Sequence, residues 1–121
     1  MYSQKVLDHF HHPCNVGEIA EATAVVEASN PVCGDLMKLW VIIRDGKIQE
    51  AKFKVQGCVP SVACASWLTD AVTGRSLEEA LALTADQIIV GLEGLPAASR
   101  HAAVLAIDAL QCLAGQISKT A

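Results

Sequence analysis

Aromatic side chains are scarce in this 121-residue chain, which has two Phe, two Trp and one Tyr. Its core must therefore come from aliphatic residues and alanine, and the 52% apolar content is enough for one. Positive charge is also short: 9 Lys and Arg face 13 Asp and Glu, a net charge of −4. That balance argues against a nucleic-acid binder, which should show a basic stripe. No apolar run is long enough to span a membrane, and that from Leu39 to Ile43 has strand length. The N-terminal Met1-Tyr2-Ser3-Gln4-Lys5 lacks the apolar stretch of a signal peptide. The five cysteines are an odd number and, without an export signal, do not suggest a disulfide framework. Reduced thiols in the cytoplasm are expected. Repeats, linkers and low-complexity tracts are absent, so residues 1–121 are expected to form one domain.

What is present reads as strands first and helices afterwards. Ser3 can cap a helix over Gln4 to His11, with Val6, Leu7 and Phe10 on one face, ended by Pro13. Strands are expected at Ala24 to Ala28, Leu36 to Arg44 and Ile48 to Val55, the last two joined at Asp45-Gly46-Lys47. Ala51, Phe53 and Val55 alternate with Glu50, Lys52 and Lys54, the mark of a sheet buried on one side. Helical segments follow from Pro60 to Val72, from the capping box at Ser76, from Thr84, and from about Ala97 to Ile117. The fold class expected is α+β, a three-stranded antiparallel sheet with helices packed on one face.

Four side chains at turns and element ends stand out. Cys33 and Asp35 flank Gly34 in a turn between two strands. Cys58 follows Gly57 where a strand gives way to a helix, and there the helix dipole favours a thiolate. His101 opens the last helix, five residues after Pro96. Thiol, carboxylate and imidazole are ligands for zinc or for an iron–sulfur cluster. Each alone is as easily a buried thiol, a turn carboxylate or a surface histidine, and spacing leaves open whether the four meet. Cys64 and Cys112 are expected in the core, the first turned about 120° from Cys58 on a helix and the second about 16 Å along the axis from His101. Cys14 lies in a loop, and His9, His11 and His12 read as a solvated helix end. Trp40 and Trp67 read as packing residues.

The ordered motifs resemble the U-type iron–sulfur cluster scaffold family, the small domain also found at the N-terminus of nitrogen-fixation scaffold proteins. The likeness runs through Tyr2-Ser3…Lys5-Val6…Asp8-His9…Pro13…Asn15-Val16-Gly17, Cys33-Gly34-Asp35…Met37-Lys38-Leu39, Phe53-Lys54…Gly57-Cys58 with Ala63 and Ser66, and Leu95-Pro96…His101 with Leu105-Ala106…Asp108-Ala109. The resemblance implies a carrier, not an enzyme: it takes sulfur from a cysteine desulfurase, assembles a [2Fe–2S] cluster and passes it to apo iron–sulfur proteins. It places Cys33, Asp35, Cys58 and His101 in the family's ligand region, where zinc can also bind, with the carboxylate keeping the cluster labile. It leaves homo-oligomerisation open. Four departures accompany it, one being Cys14 where a basic residue is common. Ala102 stands where the family has a third cysteine after the histidine, a principal sulfur-accepting thiol. Leu95-Pro96-Ala97-Ala98-Ser99 replaces the chaperone motif, which argues against docking to the dedicated chaperone. Cys64 replaces a serine. Two other functions stay in view: a zinc-held sulfur relay with Cys58 or Cys33 as persulfide acceptor, and a degenerate regulatory paralogue.

Overall fold

The computed structural model describes residues 2–31 and 34–120, with side chains to residue 117. Cys33 lies outside the described residues, so its expected place in the turn is a matter for the proposal below.

Helix α1 (Gln4–His11) opens at Ser3, whose hydroxyl accepts from the Val6 amide. The sheet is a meander in the order β1 (Ala24–Ser29), β2 (Leu36–Arg44), β3 (Lys47–Gln56), antiparallel throughout. Asp45 and Gly46 both have positive φ, +54° and +74°. That is the tight two-residue turn whose twist suits the flanking strands. The register slips between Ile42 and Ile43 as Gln49 bulges out of β3. The bulge explains why Ile48 is buried alongside Ala51 and Phe53 although their spacing breaks strict alternation.

Helix α2 (Val59–Val72) follows β3, then the short α3 (Leu77–Leu81) and α4 (Ala85–Gly91), each opened by a capping box, at Ser76–Glu79 and Thr84–Gln87. A 3-10 turn (Ala97–Ser99) leads into α5 (Arg100–Thr120), so the last helix begins three residues later than its sequence suggests. Helix α5 covers β1 and β2 while α2 covers β3 and also packs against α1, α4 and α5. Met37, Leu39, Val41, Phe53, Leu68, Leu105 and Leu110 form the centre of the core between sheet and helices. Among the described residues, no helix is long and apolar enough to cross a membrane.

Two packing details differ from the expectations, those of Cys112 and His9. Cys112 is exposed, not in the core. It shares the outward stripe of α5 with Val104 and Asp108, while Ala102, Ala103, Leu105, Ala106, Ala109, Leu110 and Leu113 face inward. His9 is half-buried against α2 and not part of a solvated end. Trp40 is only 6% exposed although it alternates with the core-facing Leu39 and Val41, and the Lys38 ammonium sits 5.3 Å from its ring centroid. The long lysine stem shields the ring on the sheet's outer face. Cys64 is fully buried, as expected.

Candidate metal and cluster site

Three of the four expected ligands converge from the ends of three elements. Asp35 immediately precedes β2, Cys58 is the N-cap of α2, and His101 is the second residue of α5. Backbone bonds shape the first loop: the Gly34 amide donates to the Asn30 carbonyl and the Asn30 amide to the Asp35 carbonyl. Gly34 has φ +75°, a conformation that favours glycine. Gly57 is needed for another reason, since a Cβ there would lie 2.7 Å from Asp35 Cγ. Only glycine lets the β3–α2 corner close over the carboxylate.

The ligand atoms of Asp35, Cys58 and His101 all lie within 4.8 Å of one another. Cys58 Sγ donates to Asp35 Oδ2 at 3.1 Å, and His101 Nε2 stands 3.9 Å from the same oxygen. The edges of a tetrahedral zinc site with such ligands are about 3.3–3.8 Å, so little adjustment is needed to fit a metal. His101 Nδ1 is 3.0 Å from the Ala98 carbonyl oxygen. A carbonyl only accepts, so Nδ1 carries a proton, and Nε2 is the ring nitrogen that faces the site. The donor set and its spacing therefore fit zinc or a cluster iron. Asp35 is 6% exposed. The Ser61 hydroxyl first, then the Cys58 thiol and amide and the His101 ring, holds its carboxyl below the ordinary value, against the effect of burial. The carboxylate also sits before the N-terminus of α2, where the helix dipole favours negative charge.

Ala102 offers no ligand and is fully buried. Cys64 does not replace it in the ligand group. Burial first, and then charge at Cys58, pushes its thiol up to about 12, so it stays protonated. Among the described residues no second group of three metal-ligating side chains forms, and His9, His12 and Cys14 do not converge as ligands.

Sequence reasoning assigned no role to two serines of α2, Ser61 and Ser66. Ser61 is fully buried and donates to Asp35 Oδ2 at 2.6 Å, with Cys58 Sγ 3.3 Å away. Its position one helical turn after Cys58 was the available signal. Ser66, also fully buried, accepts from the Cys14 amide at 2.8 Å and lies 2.7 Å from His9 Nδ1. Nothing in the sequence links Ser66 to residues more than fifty positions away.

Comparison with known proteins shows the family. Residues 1–119 match the model of the NifU-like N terminal domain. Iron-sulfur cluster assembly scaffold protein IscU 1 of Archaeoglobus fulgidus is 44% identical over 111 residues, 92% of this chain and 72% of that protein. Iron-sulfur cluster assembly scaffold protein IscU of Escherichia coli K12 is 40% identical over 114 residues, 91% of this chain and 88% of its own. The crystal structure of a nitrogen-fixing NifU-like protein (N-terminal) from Brucella abortus superposes with a TM-score of 0.79 at 22% identity. That match covers 98% of this chain and 95% of the other, and at this identity it speaks for the fold.

Proposed function

The chain belongs to the NifU-like N-terminal domain family, and from that premise we propose that it is an iron–sulfur cluster assembly scaffold acting as one domain. Its cargo is a labile [2Fe–2S] cluster, held by Cys33, Asp35, Cys58 and His101. The observation that carries the proposal is the convergence of a thiol, a carboxylate and an imidazole in a chain whose relatives bear the scaffold name.

Each residue has a distinct part. Cys58 supplies a thiolate at the helix N-terminus, half-exposed and so within reach of incoming sulfur. His101 presents Nε2 because Ala98 holds its other nitrogen. Asp35 contributes an oxygen, a poorer partner than thiolate for the soft cluster core, which suits release. Cys33 would complete the set from the Asn30–Asp35 loop. The protein carries rather than catalyses: a cysteine desulfurase provides the sulfur, and apo iron–sulfur proteins receive the finished cluster. The cytoplasm is the compartment that suits free thiols.

The test is metal and acid-labile sulfide analysis, with absorption spectra, on protein purified without oxygen from iron-replete cells. Iron and sulfide in equal amounts with visible charge-transfer bands are expected. Neither metal nor sulfide, even after reconstitution, would overturn the scaffold reading and leave a regulatory paralogue. The half-exposed Cys58 also supports a second reading, a zinc-held sulfur relay. Zinc without sulfide, and a persulfide on Cys58 or Cys33 after incubation with a desulfurase and cysteine, would select it.

A further inference from the structure

Asp35 Oδ2 is the most heavily engaged atom of the site. It accepts from the Ser61 hydroxyl at 2.6 Å and from the Cys58 thiol at 3.1 Å, and it faces His101 Nε2 at 3.9 Å. A carboxylate oxygen has two lone pairs, so hydroxyl and thiol fill both. Cysteine binds metal as thiolate, and its proton leaves as the metal arrives. The lone pair then vacated is the one directed at Cys58, in the space bordered by His101. The Ser61 bond occupies the other and does not compete with the metal.

We propose that Ser61 is a positioning residue of the ligand group. Its buried hydroxyl holds Asp35 so that Oδ2 turns one vacant lone pair into the space between Cys58 and His101. The inference rests on the reading above that this group holds a metal or cluster. Of the side-chain donors to Oδ2 among the described residues, the Ser61 hydroxyl alone survives loss of the thiol proton. Its own place is fixed by α2, where it is fully buried and its amide donates to the Cys58 carbonyl. The hydroxyl therefore has one orientation that satisfies it, towards Asp35 and Cys58.

The experiment is a Co²⁺ titration of the reduced, metal-free protein without oxygen, on wild type, Ser61→Ala, Asp35→Ala and the double variant. Co²⁺ reports through visible bands and through thiolate charge transfer. With Asp35 present, Ser61→Ala should weaken Co²⁺ binding by about 10–100-fold, the usual cost of losing an outer partner. In the Asp35→Ala background the same change should cost less than about twofold, as for independent sites. Ser61→Thr, which keeps the hydroxyl, should restore affinity. The charge-transfer band at saturation should persist, because Cys58 remains a ligand. Equal losses in both backgrounds would mean a merely structural role and overturn the proposal, as would no loss in either.

A wild type that fails to bind Co²⁺ would sink the metal-site reading, and a metal-free measurement then decides on Ser61. The Ser61 hydroxyl donates to Asp35 Oδ2 at 2.6 Å, so Ser61→Ala and Asp35→Ala should be coupled in denaturant unfolding of the metal-free protein, the double variant losing less than the sum of the two. Additive losses would overturn the positioning role.

Discussion

Ser61 and Ser66 sit five residues apart on α2, both fully buried, and each bonds an ionisable side chain from a distant segment. About 140° of helical rotation separates them, so they face different surroundings. Ser61 holds Asp35 at the helix start, beside a thiol and an imidazole whose ligand atoms converge with the carboxylate. Ser66 closes a seam: it binds the Cys14 amide and the His9 ring and ties α1 and its following loop to α2. Near that seam a shallow hollow is lined by Asp8, His9, His12 and Cys14. By residue type it is as well stocked for metal as the first site. What it lacks is convergence, since one His9 nitrogen is spent on Ser66 and the remaining side chains do not share a point. Ligand chemistry follows from where side chains end, and composition alone does not supply it.

The sharpest way to break this contrast is to delete one thiol from each region. Cys58→Ser should cost roughly 100-fold or more in metal affinity, beyond the range of an outer-partner loss. Cys14→Ser should leave affinity unchanged, because Cys14 engages Ser66 through its backbone. Parallel Zn²⁺ titrations against a competing chelator would measure both, and a comparable loss in Cys14→Ser would erase the distinction. Gly57→Ala comes next. The added Cβ would meet Asp35 Cγ at 2.7 Å with backbone on one side and a buried carboxylate on the other. Overpacking of this kind costs about 1–3 kcal/mol. Denaturant unfolding of the metal-free protein should show it, together with weaker metal binding.

Local patterns with strong physical rules were readable in advance. The Ser3 cap, the Asp45-Gly46 turn, the boundaries of β2 and both capping boxes follow from residue chemistry over a few positions. The candidate ligands Asp35, Cys58 and His101 stood out because they lie at element ends, although their meeting rested on the family likeness. Failures came where the third dimension decides. Cys112 shares a helical face with His101, but that face is the outward one, and the periodicity of an alanine-rich helix does not reveal this before the buried stripe is known. His9 looked solvated because its partner is 57 positions away.

The seam carries the two smaller predictions. Ser66→Ala would strip the Cys14 amide and the His9 ring of their partner in a part-buried setting. Leaving such a group unsatisfied costs about 1–3 kcal/mol. Thermal unfolding should register that loss while metal affinity stays at the wild-type value, the reverse of Ser61→Ala. A fall in affinity would mean that the two ends of α2 are coupled.

The smallest effect is a pH dependence centred on His9. Burial holds its imidazole below the ordinary 6.5, and nearby Lys5 acts in the same direction while Asp70 and Asp8 oppose it. The folded protein therefore takes up this proton less readily than the unfolded chain does. The His9 contribution is fully present above the unfolded value and is lost as pH falls from about 6.5 through the lower folded value. Below the folded value it no longer changes. His9→Gln removes the titrating group, so the wild-type melting temperature should decline over this acidic window more steeply than that of the variant. The curves are taken on metal-free protein, so that metal binding adds nothing to the melting temperature. Parallel curves would show that the His9 ring exchanges protons as freely in the seam as in water, and the seam would then differ from the ligand site only in its lack of convergence.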